Sequence, residues 1–108
     1  MSELKSVFEL RDETIWETEK DVNVRELLND ENRRLVEIGI KAKATLKRHH
    51  TPEPITVLCL SGTGAFTAGG EHEDSQRLHP GTLIALDAAV EHEVVADTDL
   101  HILVTKFK

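Results

Sequence analysis

Tyrosine is absent from these 108 residues, tryptophan occurs once, and aromatic side chains make up 4% of the chain. So few rings leave little for a platform that stacks sugars or bases. Cysteine is also single: Cys59, within "ITVLCLSG", has no partner for an intrachain disulfide and sits among apolar neighbours, as a small core residue does. Basic charge is in deficit, with 13 Lys and Arg against 20 Asp and Glu and a net charge of -7. A surface for nucleic acid or anionic membrane carries the opposite sign, so neither is expected as a partner; small molecules and other proteins are. Long apolar runs are missing as well. Residues 1–20, "MSELKSVFELRDETIWETEK", spread charge throughout and resemble neither a secretory signal nor a membrane span, which makes the cytoplasm the expected location. Helical periodicity is scarce: "RELLNDENRRLVE" comes nearest, but its middle is turn chemistry, and a short helix is expected only at Ser6 to Arg11.

What is present is alternation. From Val36 to His50 the even positions run Val36, Ile38, Ile40, Ala42, Ala44, Leu46, Arg48 and His50, while Glu37, Lys41, Lys43, Lys47 and His49 occupy odd ones. Period two predicts strand, with a bend near Ala42 to Ala44. Turn clusters punctuate the rest: "NDEN", "SGTG", "AGGE", "HPG" and "ADTD". Between them lie short strand candidates at 55–60, 65–68, 72–78, 82–86, 91–96 and 100–107. Turn signals this close together predict an all-β antiparallel sandwich or barrel in a single domain spanning 1–108, with N-terminal strands and a short helix before residue 36 and the barrel in 36–108. Ile38, Ile40, Leu46, Ile55, Val57, Ile84, Val94 and Val104 are its expected core. "SGTGAF" lacks the lysine and helix of a phosphate loop and predicts a hairpin turn.

Two short motifs stand out against this background. Gly81, five residues, Asp87-Ala88-Ala89, two residues and His92 follow one pattern; His50, four residues, Ile55, six residues and Gly62 follow another. In these the chain resembles the RmlC-like cupin family, over about Val36 to Lys108. The resemblance implies a jelly-roll β-barrel whose interior mouth carries the functional site. Asp87, Ala89 and Ala96 stand where the family has proline, glycine and asparagine; Arg48 and Ile55 stand where it has the first histidine and the glutamate.

Strand parity and motif spacing both choose His50 over His49 to face the barrel interior, across from His92. Family members that hold a metal gather three histidines and a glutamate around a divalent Fe, Mn, Zn or Ni ion. His50 and His92 alone fall short of three protein ligands, and a bulge at Pro52 to Pro54 would be needed to add His49 or Glu53. Arg48, His50 and His92 together would instead form a metal-free site for a carboxylate or phosphate, unless Arg48 extends to solvent along its aliphatic stem. The expected function is a small-molecule-binding barrel, the ligand an anion, with a degenerate metal site. A metal-dependent dioxygenase, isomerase or decarboxylase is the alternative, and a sensor working through partners is a third class. Exposed sheet edges, together with Phe8, Trp16, Val22, Val24, Leu27 and Leu28, predict a homodimer.

Overall fold

The computed structural model describes residues 3–16 and 19–108. Among these, a helical turn, α1 (Asp12–Ile15), precedes strands β1 (Val22–Asn29), β2 (Arg33–Ile40), β3 (Thr45–His49), β4 (Ile55–Ser61), β5 (Gly64–Ala68), β6 (Asp74–Leu78), β7 (Leu83–Leu86), β8 (His92–Ala96) and β9 (Leu100–Phe107). Every strand pairing is antiparallel, in a five-stranded sheet ordered β1-β2-β9-β4-β7 and a four-stranded sheet ordered β3-β8-β5-β6. The architecture is all-β and antiparallel, as alternation and turn spacing predict, and it is the jelly roll that the cupin resemblance implies.

Alternation builds the core directly. On the inner face of the five-stranded sheet Val36 lies opposite Val104, Ile38 opposite Ile102, and Ile40 opposite Leu100, with Val57 and Cys59 continuing the layer on β4. Phe66, Leu78, Val94 and Ala96 meet them from the other sheet. Burying each large apolar side chain contributes about 1.5–3 kcal/mol. Six of the eight expected core residues are buried, while Leu46 and Ile84 pack against the core half-buried.

The long alternating run is two strands in different sheets. The chain leaves β2 at Ile40, turns where Lys43 takes the left-handed conformation at φ 72°, and re-enters as β3. "NDEN" turns β1 into β2, as its composition requires. "SGTG" joins β4 to β5, which belong to different sheets, so it is a crossing between layers and not the hairpin turn that its residues predict.

The helix is also displaced: residues 6–11 form no regular element, and the turn lies at Asp12–Ile15. Docking places it there, since Ile15 is buried and packs with Trp16 over Gly39 of β2. A Cβ on Gly39 would lie 2.9 Å from Ile15 Cγ1 and 3.0 Å from the Trp16 ring, so that approach needs glycine. This cover explains why Val36 to Ile40 are buried on both faces, against the expectation that alternate residues meet water.

Candidate functional site

A cavity of about 130 Å³ opens between the sheets, with His49, Thr51, Phe66 and His92 on one wall and Arg34 and Lys106 on the other. β8 carries His92 inward, 4% exposed, and β3 lies beside it at the sheet edge. Leu46 pairs with Val94 and His49 with His92, so three steps along β3 match two along β8. That mismatch is a bulge, and it reverses parity from Arg48 onward. His49 therefore faces the cavity and His50 does not, the opposite of what strict alternation and motif spacing predict. His50 is exposed beyond the strand end. Arg48 is likewise not on the cavity wall: its guanidinium donates to the Gly69 carbonyl at 2.6 Å and pairs with Glu73 at 2.7 Å and Glu91 at 3.4 Å. Glu53 lies outside the cavity lining, with one carboxylate oxygen buried and unpartnered. Of the five sequence-predicted site residues, the fold brings together His49 and His92.

The two rings meet edge to face, centroids 4.3 Å apart, and Phe66 stacks on His92 at 5.6 Å. His92 Nδ1 donates to the Val90 carbonyl at 3.0 Å and His49 Nδ1 to the Lys47 carbonyl at 2.8 Å. A carbonyl only accepts, so Nδ1 carries the proton in each ring and Nε2 keeps a free lone pair when the ring is neutral. Burial holds the His92 pKa below the usual histidine range; the Val90 carbonyl opposes this, while electrostatic repulsion from the side of His49, Lys106 and His50 reinforces it. A ring so placed is neutral at physiological pH.

Arg34 and Lys106 are directly opposite one another on β2 and β9. Like charges at opposed positions are unfavourable. Glu26 meets Arg34 at 3.0 Å, whereas Lys106 has no salt bridge among the described residues. In a chain of net charge -7 the mouth of the cavity is thus locally cationic. Arg34, Lys106 and Thr51 were not singled out from the sequence, although the first two were within reach of it: Arg34 shares the parity of Val36 and Ile38, and Lys106 that of Ile102 and Val104. Thr51 lies past the bulge, where parity gives no guidance.

The donor set does not fit a resident catalytic metal. Two imidazoles face the cavity, and among the described residues no group of three His, Cys, Asp or Glu side chains is arranged to hold an ion. In the second motif two residues take the left-handed conformation. Gly81 has φ 96°, and Ala89, at the glycine position, is held left-handed at φ 65°. Its N–H donates to the Thr51 carbonyl at 2.8 Å, tying the β7–β8 loop to the rim.

A two-sheet antiparallel barrel with a small cavity at its mouth, two histidines from neighbouring strands inside it and a left-handed turn before the second, defines a class of β-barrel. The profile of the cupin domain matches residues 34–106, and the chain belongs to the cupin family. No curated protein sequence matches it. Among solved structures it is similar to a cupin superfamily protein from Desulfitobacterium hafniense, at TM-score 0.78 and 14% identity over 88% of this chain and 84% of that one. It is similar to an RmlC-like cupin from Shewanella frigidimarina at TM-score 0.73 and 16% identity, over 81% of this chain and 76% of that one. It also resembles oxalate decarboxylase from Bacillus subtilis, TM-score 0.78 and 19% identity, over 84% of this chain and 26% of that protein. These likenesses are of fold.

Proposed function

We propose that the barrel mouth binds a small organic anion, with Lys106 as its counter-charge, Arg34 as a second cation, and Thr51, His49 and His92 as hydrogen-bonding groups. The observation that carries this reading is the opposed Arg34–Lys106 pair on the wall of a cavity in an acidic chain. A bound anion relieves their repulsion and gives Lys106 an acidic partner, of which it has none among the described residues. At about 130 Å³ the cavity holds about four waters' worth of ligand, roughly a carboxylate of two to four carbons. The binding role expected of Arg48 and His50 passes in this reading to Lys106 and His49. Cationic charge from the protein, rather than a metal, holds the ligand.

One observation favours a second reading: both Nε2 lone pairs are free and their tautomers are fixed by backbone carbonyls, as in ligating histidines. Under it, Fe, Mn, Zn or Ni sits on His49 and His92 with a third donor from His50, Glu53 or the ligand itself. The chain would then be a metal-dependent dioxygenase, isomerase or decarboxylase, and oxalate decarboxylase, a protein with Mn(II) centres, is the fold neighbour that lends this weight. Thermal unfolding with acetate, malonate or manganese separates the two. A carboxylate at about a hundred times its dissociation constant should stabilise by about 2.7 kcal/mol, and Lys106→Met should abolish the effect. Stoichiometric manganese lost in His92→Ala, with no response to carboxylates, would replace the first reading by the second.

The assembly in this reading is a cytoplasmic homodimer. Val24, Leu83 and Phe107 leave large apolar side chains exposed, and no described helix is long and apolar enough to cross a membrane. Light scattering at micromolar concentration giving a monomer mass would remove the dimer.

A further inference from the structure

The polar groups of the cavity are confined to one end of it, and the strand registers show how sharply. Arg34 on β2 lies opposite Lys106 on β9, which lies opposite Ile55 on β4. Two residues deeper along the same strands the opposed set is Val36, Val104 and Val57. The other sheet repeats the change. His49 opposes His92 at the outer level, and at the next level Val94 lies between Leu46 and Phe66. All of these side chains line the cavity. Since two strand residues span about 6.5 Å, the lining passes from charged to wholly apolar within the length of a small ligand.

Charge at the outer level is limited as well. Arg34 is 3.0 Å from Glu26, which leaves Lys106 as the one of the two cations without an acidic partner among the described residues. One unmatched cation calls for one negative charge. Below it no lining side chain carries a donor or an acceptor, so whatever part of a ligand goes deeper exchanges water for Val36, Val57, Val104 and Phe66. That exchange favours hydrocarbon and penalises any group that needs hydration.

Resting on the reading of the mouth as an anion site, we infer that the ligand is an aliphatic monocarboxylate, its carboxylate paired with Lys106 and its hydrocarbon tail lying between Val36, Val57, Val104 and Phe66. A dicarboxylate of the same chain length is the disfavoured relative. If its second carboxylate enters the apolar level, it loses its hydration with no donor to replace the water; if that group turns back to solvent, the contacts of the tail are given up.

Titration calorimetry near neutral pH with acetate, butyrate and succinate tests this. Butyrate lies at the upper end of the size that a cavity of about 130 Å³ takes. Each buried methylene strengthens binding about fourfold, so butyrate, two methylenes longer than acetate, should bind about fifteenfold tighter and with a more negative heat-capacity change. Succinate carries a carboxylate where butyrate has its methyl group, and should bind about tenfold or more weakly than butyrate. Val104→Thr keeps the side-chain volume but puts a hydroxyl at the level of the tail, and should narrow the gap between butyrate and acetate by about threefold. Equal affinities for acetate and butyrate, succinate binding as tightly as butyrate, or a gap undiminished in Val104→Thr would each overturn the apolar tail while leaving the anion site standing. Should none of the three bind, the anion site falls and the tail with it, because acetate needs only the charged end. Should Val104→Thr fail to fold, the ranking of the three ligands on the unaltered protein decides.

Discussion

Strands β2 and β9 carry two charged regions on opposite faces, and the two are completed differently. On the outer face Glu37 and His101 are buried 2.8 Å apart, with Asp12 at the other ring nitrogen and Arg25 3.4 Å from Glu37, so that acidic and basic side chains face one another within the chain. On the inner face Arg34 and Lys106 oppose one another at the cavity mouth, and Lys106 has no acidic partner among the described residues. A row of charges that the fold completes itself serves to join one segment to another. A pair left incomplete beside an open cavity invites completion from solution.

The largest effect should come from breaking the complete side. Glu37→Ala leaves His101 and Arg25 without their shared carboxylate, and should cost about 3–5 kcal/mol in urea unfolding, as removal of one partner from a buried charge pair does. Lys106→Met, on the incomplete side, should change apo stability by less than about 1 kcal/mol while erasing stabilisation by carboxylates of about 2.7 kcal/mol. If both substitutions destabilised the apo protein equally, the contrast between the faces would be gone.

The pH dependence sharpens the same contrast. His92 has a lowered pKa, so its contribution to stability is full above the unfolded value of about 6.5 and declines as pH falls from there toward the folded one. A bound anion favours the protonated ring, so carboxylate stabilisation should grow over that same window. Melting temperatures with and without acetate across it, compared with those of His92→Ala, check this; an acetate effect independent of pH would separate His92 from the anion. The smallest expected effect is at the rim: Ala89→Gly should stabilise by about 1 kcal/mol by relieving the left-handed alanine at φ 65°, measurable as a shift in the urea midpoint.

Most of the barrel was legible in the sequence because its inner face is built by alternation. The parity of Val36, Ile38 and Ile40 gave the facing of β2, and the spacing from Gly81 to His92 found the turn that delivers the second histidine. Parity failed wherever a face acquired a second layer or a strand gained a residue. Glu37 looked like a water-facing position because the docking of Ile15 and Trp16 leaves no local signature in β2. His49 and His50 exchanged roles because the bulge between Leu46 and His49 depends on the partner strand and not on the residues of β3 alone. Arg34 and Lys106 went unremarked although parity puts them inward, since a cation at a strand end is so often solvated.

The bulge makes distance along the chain a poor guide to placement at this one spot. Deleting Lys47 would remove the extra residue, restore strict alternation from Leu46 through Arg48 to His49, and leave His49 opposite His92. A loss of one codon there should therefore be nearly silent for the cavity. The insertion of one residue just after Arg48, taken up by the same strand, would instead carry His49 past His92 and bring a newcomer to the wall. In a lineage of such barrels, the identity of the residue facing His92 could thus change hands through gain or loss of single residues, with no histidine ever being substituted.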